Sequence, residues 1–236
     1  MFIPLTRYEQ IPGTCSIAAA ASTANYYNPD IDYDYALSVV KRRITKKYDQ
    51  GLWSGQIGRL LNMLGFKDVT IISSDLDYLD FSWSRLSRKG LIRELSEVVK
   101  KIELPARHSA RDMLKFLNIA KYQNNLLVDY QYGRHIRQSL SEGFQLLLSF
   151  NWTMFFKYAK FDTKDRPNSV KGEYEIHCVC GAGYTKTGIY IIDSHENMYK
   201  YKLKKYRKGK YHVRWEDLLA CMGMQGDVII PSNYRL

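Results

Sequence analysis

No stretch of this chain is long and apolar enough, at about 18 residues, to read as a membrane-spanning helix. Its start, Met1-Phe-Ile-Pro-Leu-Thr-Arg-Tyr8, lacks a basic stretch followed by a long apolar one. That excludes a secretory signal of ordinary form and sets the expectation of a cytoplasmic protein. Cysteine is scarce: the four present follow no framework spacing, which argues against a disulfide scaffold and for a reducing compartment. Cys178 and Cys180 form a Cys-x-Cys pair, but no second Cys/His pair completes a zinc site. They read as small buried residues of a strand, and neither metal nor cofactor is expected. Internal repeats and low-complexity linkers are also missing. With only 14 residues ahead of Cys15, no pro-segment is expected in front of it.

What is present in excess is positive charge. The net charge is +11 over 236 residues. Much of it falls between residues 199 and 214, where Lys200, Lys202, Lys204, Lys205, Arg207, Lys208, Lys210 and Arg214 alternate with Tyr199, Tyr201, Tyr206 and Tyr211. Such a surface can meet nucleic acid, or another anionic surface, through phosphate contacts and stacking. Lysines on a sheet edge also serve simply to block unwanted strand pairing. A third reading makes the segment one wall of a substrate cleft that prefers acidic partners.

The sharpest chemical signal is Cys15. In Gln10-Ile-Pro-Gly-Thr-Cys15-Ser-Ile-Ala-Ala-Ala-Ala-Ser22 a Pro-Gly turn delivers a cysteine to the first turn of an alanine-rich helix. Amides at a helix start are unpaired and carry the positive end of its dipole, so a thiolate there is stabilised. A nucleophilic cysteine needs a histidine, with a carboxylate or amide behind it. Residues 175–184 and 188–195 read as two strands of a hairpin turning at Thr185-Lys-Thr-Gly188. Alternation places His177 and Asp193 on one side, a diagonal step apart near the open end. Asp193 can then hold one imidazole nitrogen while the other faces a thiol.

These residues resemble the papain-like cysteine peptidases, in particular the bacteriocin-processing (double-glycine) peptidases and their stand-alone relatives. The resemblance covers Gln10, Cys15, the segment Gly51-Leu-Trp-Ser-Gly-Gln-Ile-Gly-Arg-Leu-Leu-Asn-Met-Leu-Gly-Phe66, His177 and Asp193, in that order. An edge segment at 199–203, a helix from Trp215 and a strand at 227–230 extend it toward the end of the chain. It implies a Cys15–His177–Asp193 triad with Gln10 as oxyanion donor. The interval between Gln10 and Cys15 is one residue shorter than in the family, whose spacing would select Glu9. An ionised glutamate cannot donate, so Gln10 keeps the role. Ser16 stands where the family prefers glycine.

Along the chain, helical patterns dominate the first half. Helices are expected at 15–27, 33–48 and 54–64, then at 83–102 with a break near Gly90, and at 109–122 with Ser109 and Asp112 as a capping box. Val69–Ser73 reads as a short strand. Strands dominate the second half: 144–150, 152–158, the hairpin, 199–203 and 227–230. The polar segment 161–172 reads as a long loop that could border a cleft. The expectation is an α+β fold of two lobes, a helical lobe over 1–130 with the nucleophile and an antiparallel sheet lobe over 131–236 with His177 and Asp193, the active site between them.

His195 competes with His177 but has no carboxylate at a matching position; His108, His135 and His212 read as surface residues. The function expected is a cysteine peptidase acting on a peptide or protein, with other amide chemistry by the same triad (acyl transfer, deamidation) as one alternative. A non-catalytic binding protein using its basic Lys/Tyr surface is the other.

Overall fold

Alanine governs the first element. The computed structural model describes residues 2–157, 160, 167–195, 209–223 and 225–234. In α1 (Cys15–Asn25) every residue from Ser16 to Ala24 is buried. Alanine favours helix and leaves little bulk, so the helix can lie close against a sheet. The Cys180 thiol donates to Ala19 O at 3.2 Å and sits 3.7 Å from Thr23 Oγ1, fastening α1 to the strand that carries His177.

Among the described residues seven strands form one mixed sheet: β1 (Phe66–Ser73), β2 (Gln123–Val128), β3 (Leu146–Asn151), β4 (Ile176–Tyr184), β5 (Gly188–Ile192), β6 (Lys210–Arg214) and β7 (Asp227–Tyr234). Their spatial order is β2-β1-β7-β3-β4-β5-β6. Only β1 and β2 run parallel; the other neighbours are antiparallel. The C-terminal strand β7 lies between β1 and β3, so strands from both halves of the sequence join in one sheet. The division expected near residue 130 therefore does not coincide with a break in the sheet, because β2 is its edge strand. All residues of β3 are buried, as expected for a strand covered on both faces.

The helices over the sheet are α2 (Tyr33–Val39), α3 (Ser54–Met63), α4 (Arg88–Lys101), α5 (Ala106–Leu117), α6 (Tyr132–Ser141), α7 (Trp152–Phe156) and α8 (Trp215–Met222). α1 and α3 pack on one face, α6 and α8 on the other. In α3 the stripe Ile57, Leu60, Leu61 is buried, and Leu64 continues it to Gly65 at φ +120°. A buried amide relay behind it joins Asn62 Nδ2 to Phe66 O (3.1 Å) and Asn124 Nδ2 to both Asn62 Oδ1 and Phe116 O (2.9 Å each). It ties α3, α5, β1 and β2 together. No helix among the described residues is long and apolar enough to cross a membrane.

Several local expectations change. Residues 152–156 form a helix rather than a strand, because the Asn151 side chain accepts from Met154 N at 2.8 Å and caps it. α2 ends at Val39 and passes into a π-turn over Val40–Ile44. The expected helix from 83 divides into a 3₁₀ turn at Phe81–Arg85 and α4, whose start is capped by Ser87. α5 begins at Ala106, so Ser109 and Asp112 form no capping box; Asp112 accepts from Gln56 Nε2 at 2.9 Å instead. The expected strand at 199–203 and residues 161–166 of the expected loop lie outside the described residues.

Candidate active site

The turn before α1 decides where the thiol points. Gly13 has φ +76°, and a side chain there would collide with the backbone of Asp49. Thr14 is the N-cap but directs its hydroxyl to Ile11 O (2.7 Å) and Tyr33 Oη (2.7 Å), not into the helix. The first-turn amides thus receive no side-chain cap and remain at the Cys15 end as donors.

His177 is the second residue of β4, and Asp193 directly follows β5. The ladder pairs Cys180 with Ile192, so continuing it sets Asp193 opposite Val179, one diagonal step from His177. His177 Nε2 lies 2.7 Å from Asp193 Oδ1, with both side chains buried. The Cys15 sulfur lies beside the same ring and interacts with its charge, and with Nε2 engaged by Asp193 the nitrogen left for sulfur is Nδ1. Cys15, His177 and Asp193, read separately from the sequence, therefore form one continuous chain.

Electrostatics follow from that contact. Burial by itself would raise the Cys15 thiol, but the His177 charge, the ring hydrogen bond and the Cys178 backbone N–H hold it below its ordinary value. Burial disfavours the His177 imidazolium, yet the Asp193 and Cys15 charges beside it push the ring up to about 10. Asp193 is likewise held below the usual carboxylate range: burial works against it, and the His177 charge and hydrogen bond outweigh burial. Together these shifts favour the ion pair, thiolate beside imidazolium with a carboxylate behind it, over the neutral pair. The remaining thiols go the other way. Burial raises Cys178 well above its ordinary value, Cys180 to about 12 and Cys221 to about 11.

Gln10 belongs to the same neighbourhood through a different contact. Its backbone N–H donates to Ser194 O at 3.1 Å, and its Oε1 accepts from Ser194 Oγ at 2.6 Å. The structure joins Gln10 to the residue after Asp193 rather than to Cys15. With Oε1 held, the carboxamide presents Nε2 as its donor end.

Sequence reasoning missed the supports of Asp193. Tyr211 Oη donates to Asp193 Oδ2 at 2.8 Å, and the His195 N–H donates to Oδ1 at 2.8 Å. Arg7 Nε donates to the Asp193 carbonyl at 2.7 Å and Arg7 Nη2 to the His195 carbonyl at 3.2 Å. The buried Trp152 ring lies 5.1 Å from the His177 ring and 4.5 Å from that of His195, a shield over the His–Asp pair. Tyr211 carried a readable signal, the alternation of β6 that buries Tyr211 and Val213. It therefore does not belong to an exposed basic face, and residues 199–208 of that expected surface lie outside the described residues. His135, read as a plain surface residue, has a carboxylate partner in Asp129 at 2.8 Å, at the start of α6. His212 lies on β6 and His108 on α5. Around Cys178 and Cys180 no metal-binding group of three His, Cys, Asp or Glu exists among the described residues.

No protein family, curated protein or solved structure matches this chain in sequence or fold comparison.

Proposed function

We propose that the protein is a papain-like cysteine peptidase, with Cys15 as nucleophile, His177 as acid and base, and Asp193 as the group that orients the imidazole. The observation that carries this reading is the buried 2.7 Å His177–Asp193 pair with the Cys15 sulfur beside the same imidazole. Under it, α1 and the β4–β5 hairpin are the two sides of a papain-type cleft.

In the first step the Cys15 thiolate attacks a substrate amide carbon, and the carbonyl oxygen becomes an oxyanion. The Cys15 backbone N–H and Gln10 Nε2 are its donors. His177 then gives its Nδ1 proton to the leaving amine, the C–N bond breaks, and a thioester remains. A water that loses its proton to His177 attacks the thioester, the C–S bond breaks and the acid leaves, regenerating the Cys15 thiolate beside the His177 imidazolium. Asp193 keeps Nε2–H directed and offsets the ring charge throughout. A nucleophile of this kind needs a reduced thiol, which suits a cytoplasmic location.

Two measurements test the reading. Hydrolysis of a mixed peptide library by the wild-type chain, lost in Cys15→Ala, supports it. Iodoacetamide at neutral pH is expected to alkylate Cys15 well ahead of Cys178, Cys180 and Cys221. Slow and equal alkylation of all four cysteines contradicts it.

A further inference from the structure

Beside Cys15 opens a cavity of about 210 Å³. Its volume falls below the roughly 300–1,000 Å³ of drug-sized ligand pockets and suits a single side chain. The strand register builds its floor. Cys178 pairs with Ser149, Ser149 with Asp227 and Asp227 with Ser73, one residue from each of β4, β3, β7 and β1. Directly paired residues project to the same face. A polar row thus runs from Cys178, whose backbone N–H touches the nucleophile, to Asp227. Asp227 is two interstrand steps from Cys178, about 10 Å at ordinary strand spacing. That span matches an extended side chain reaching away from a carbonyl held at Cys15.

The far end of the cavity is acidic, with no cation lining it among the described residues. Asp227 and Asp75 both line it, and no Lys, Arg or His is among the described lining residues. Asp227 is only 8% exposed. Its Oδ2 accepts from Ser54 Oγ, Ser73 stands beside it, and its Oδ1 has no hydrogen-bond partner among the described residues. Ser16, next to the nucleophile and 2% exposed, also lines the cavity with a hydroxyl that has no hydrogen-bond partner among the described residues. Burial raises both carboxyls, that of Asp75 to about 6, as expected where no positive partner offsets desolvation. Leu52 and the half-exposed Trp53 give the mouth apolar walls, which suit the methylenes of a long basic side chain.

We infer that this cavity is a specificity pocket for a lysine or arginine side chain of the substrate, flanking the amide attacked by Cys15, with Asp227 accepting from its cationic head. The assignment rests on the peptidase reading for its substrate, but not for the binding event. On a chain with net charge +11, a buried acidic pocket at the nucleophile also gives a local preference opposite to the global field.

The test has two arms. In a peptide library, bonds flanked by Lys or Arg are expected to be cut at least about tenfold faster than those flanked by norleucine or glutamate, the worth of one charge-assisted hydrogen bond. Asp227→Asn, nearly isosteric, should collapse that ratio toward one; equal cleavage of all classes by the wild type overturns the pocket. The second arm needs no turnover. n-Butylguanidinium is expected to protect Cys15 from iodoacetamide, neutral n-butylurea to give no protection, and Asp227→Asn to abolish the difference. Protection without hydrolysis keeps the pocket and removes the peptidase reading. Hydrolysis with no guanidinium protection and no basic preference does the reverse.

Discussion

Asp193 meets His177 across two neighbouring strands at 2.7 Å, yet it also takes a second donor from Tyr211 and a third from the His195 amide. A carboxylate with three donors in a buried site is fixed in both charge and direction. The imidazole can then turn only one nitrogen toward sulfur, and the proposed role of Cys15 as nucleophile rests on that arrangement.

The pH dependence should reveal this coupling. His177 in the folded chain is pushed up to about 10, above its unfolded value near 6.5. Its contribution to stability is therefore full below about 6.5 and is lost as pH climbs through about 10. Asp193 is lowered, so its contribution is present above the ordinary carboxylate pKa and is lost as pH falls through the folded value. We expect kcat/KM to stay on a plateau across neutral pH, bounded by Cys15 on the acid side and His177 on the alkaline side. Asp193→Asn should cut kcat by roughly two to four powers of ten and move the alkaline limb down. An unmoved limb would mean that Asp193 does not govern the ring.

Tyr211 gives a milder test of the same carboxylate. Tyr211→Phe keeps the ring and deletes the donor to Asp193 Oδ2. Loss of a hydrogen bond to a buried charge costs about 1.5–3 kcal/mol, measurable by denaturant unfolding. The alkaline limb of the activity profile should fall in step, since a less supported Asp193 holds the imidazolium less tightly. Stability loss with an unchanged pH profile would make Tyr211 a packing residue alone.

Trp152 is expected to protect the pair from water. Trp152→Ala should destabilise the fold by about 3–5 kcal/mol and lower kcat, because the ring covers both His177 and His195. Trp152→Phe should restore most of the stability while recovering less of the rate. Full recovery of both by phenylalanine would limit the ring to space filling.

How far the sequence speaks for this site depends on how local each clue is. The Pro12-Gly13 turn, the small-residue helix and the His177/Asp193 alternation are short-range patterns, and the fold assembles all three as they read. Gln10 could be assigned to the neighbourhood, but its fixed contact with Ser194 depends on a loop packing that no periodicity encodes. Residues 152–156 read as a strand because aromatic residues favour sheets, whereas one capping side chain, Asn151, turns them into a helix. Least legible was the placement of β7 between β1 and β3. It pairs Ile71 with Ile229 and Leu147 with the same residue, contacts between distant parts of the chain. The acidic pocket depends on that register. Shifting one strand by a residue would turn Asp227 to the opposite face and erase it.

The central claim is an ionised sulfur held by an imidazolium, and the most direct measurement is the ultraviolet thiolate absorbance of the folded wild type as a function of pH, minus that of Cys15→Ser. The thiolate of Cys15 should form below the free-thiol pKa of about 8.5, and its titration should move upward in His177→Ala. A Cys15 that titrates at or above the free-thiol value, with or without His177, would contradict the account.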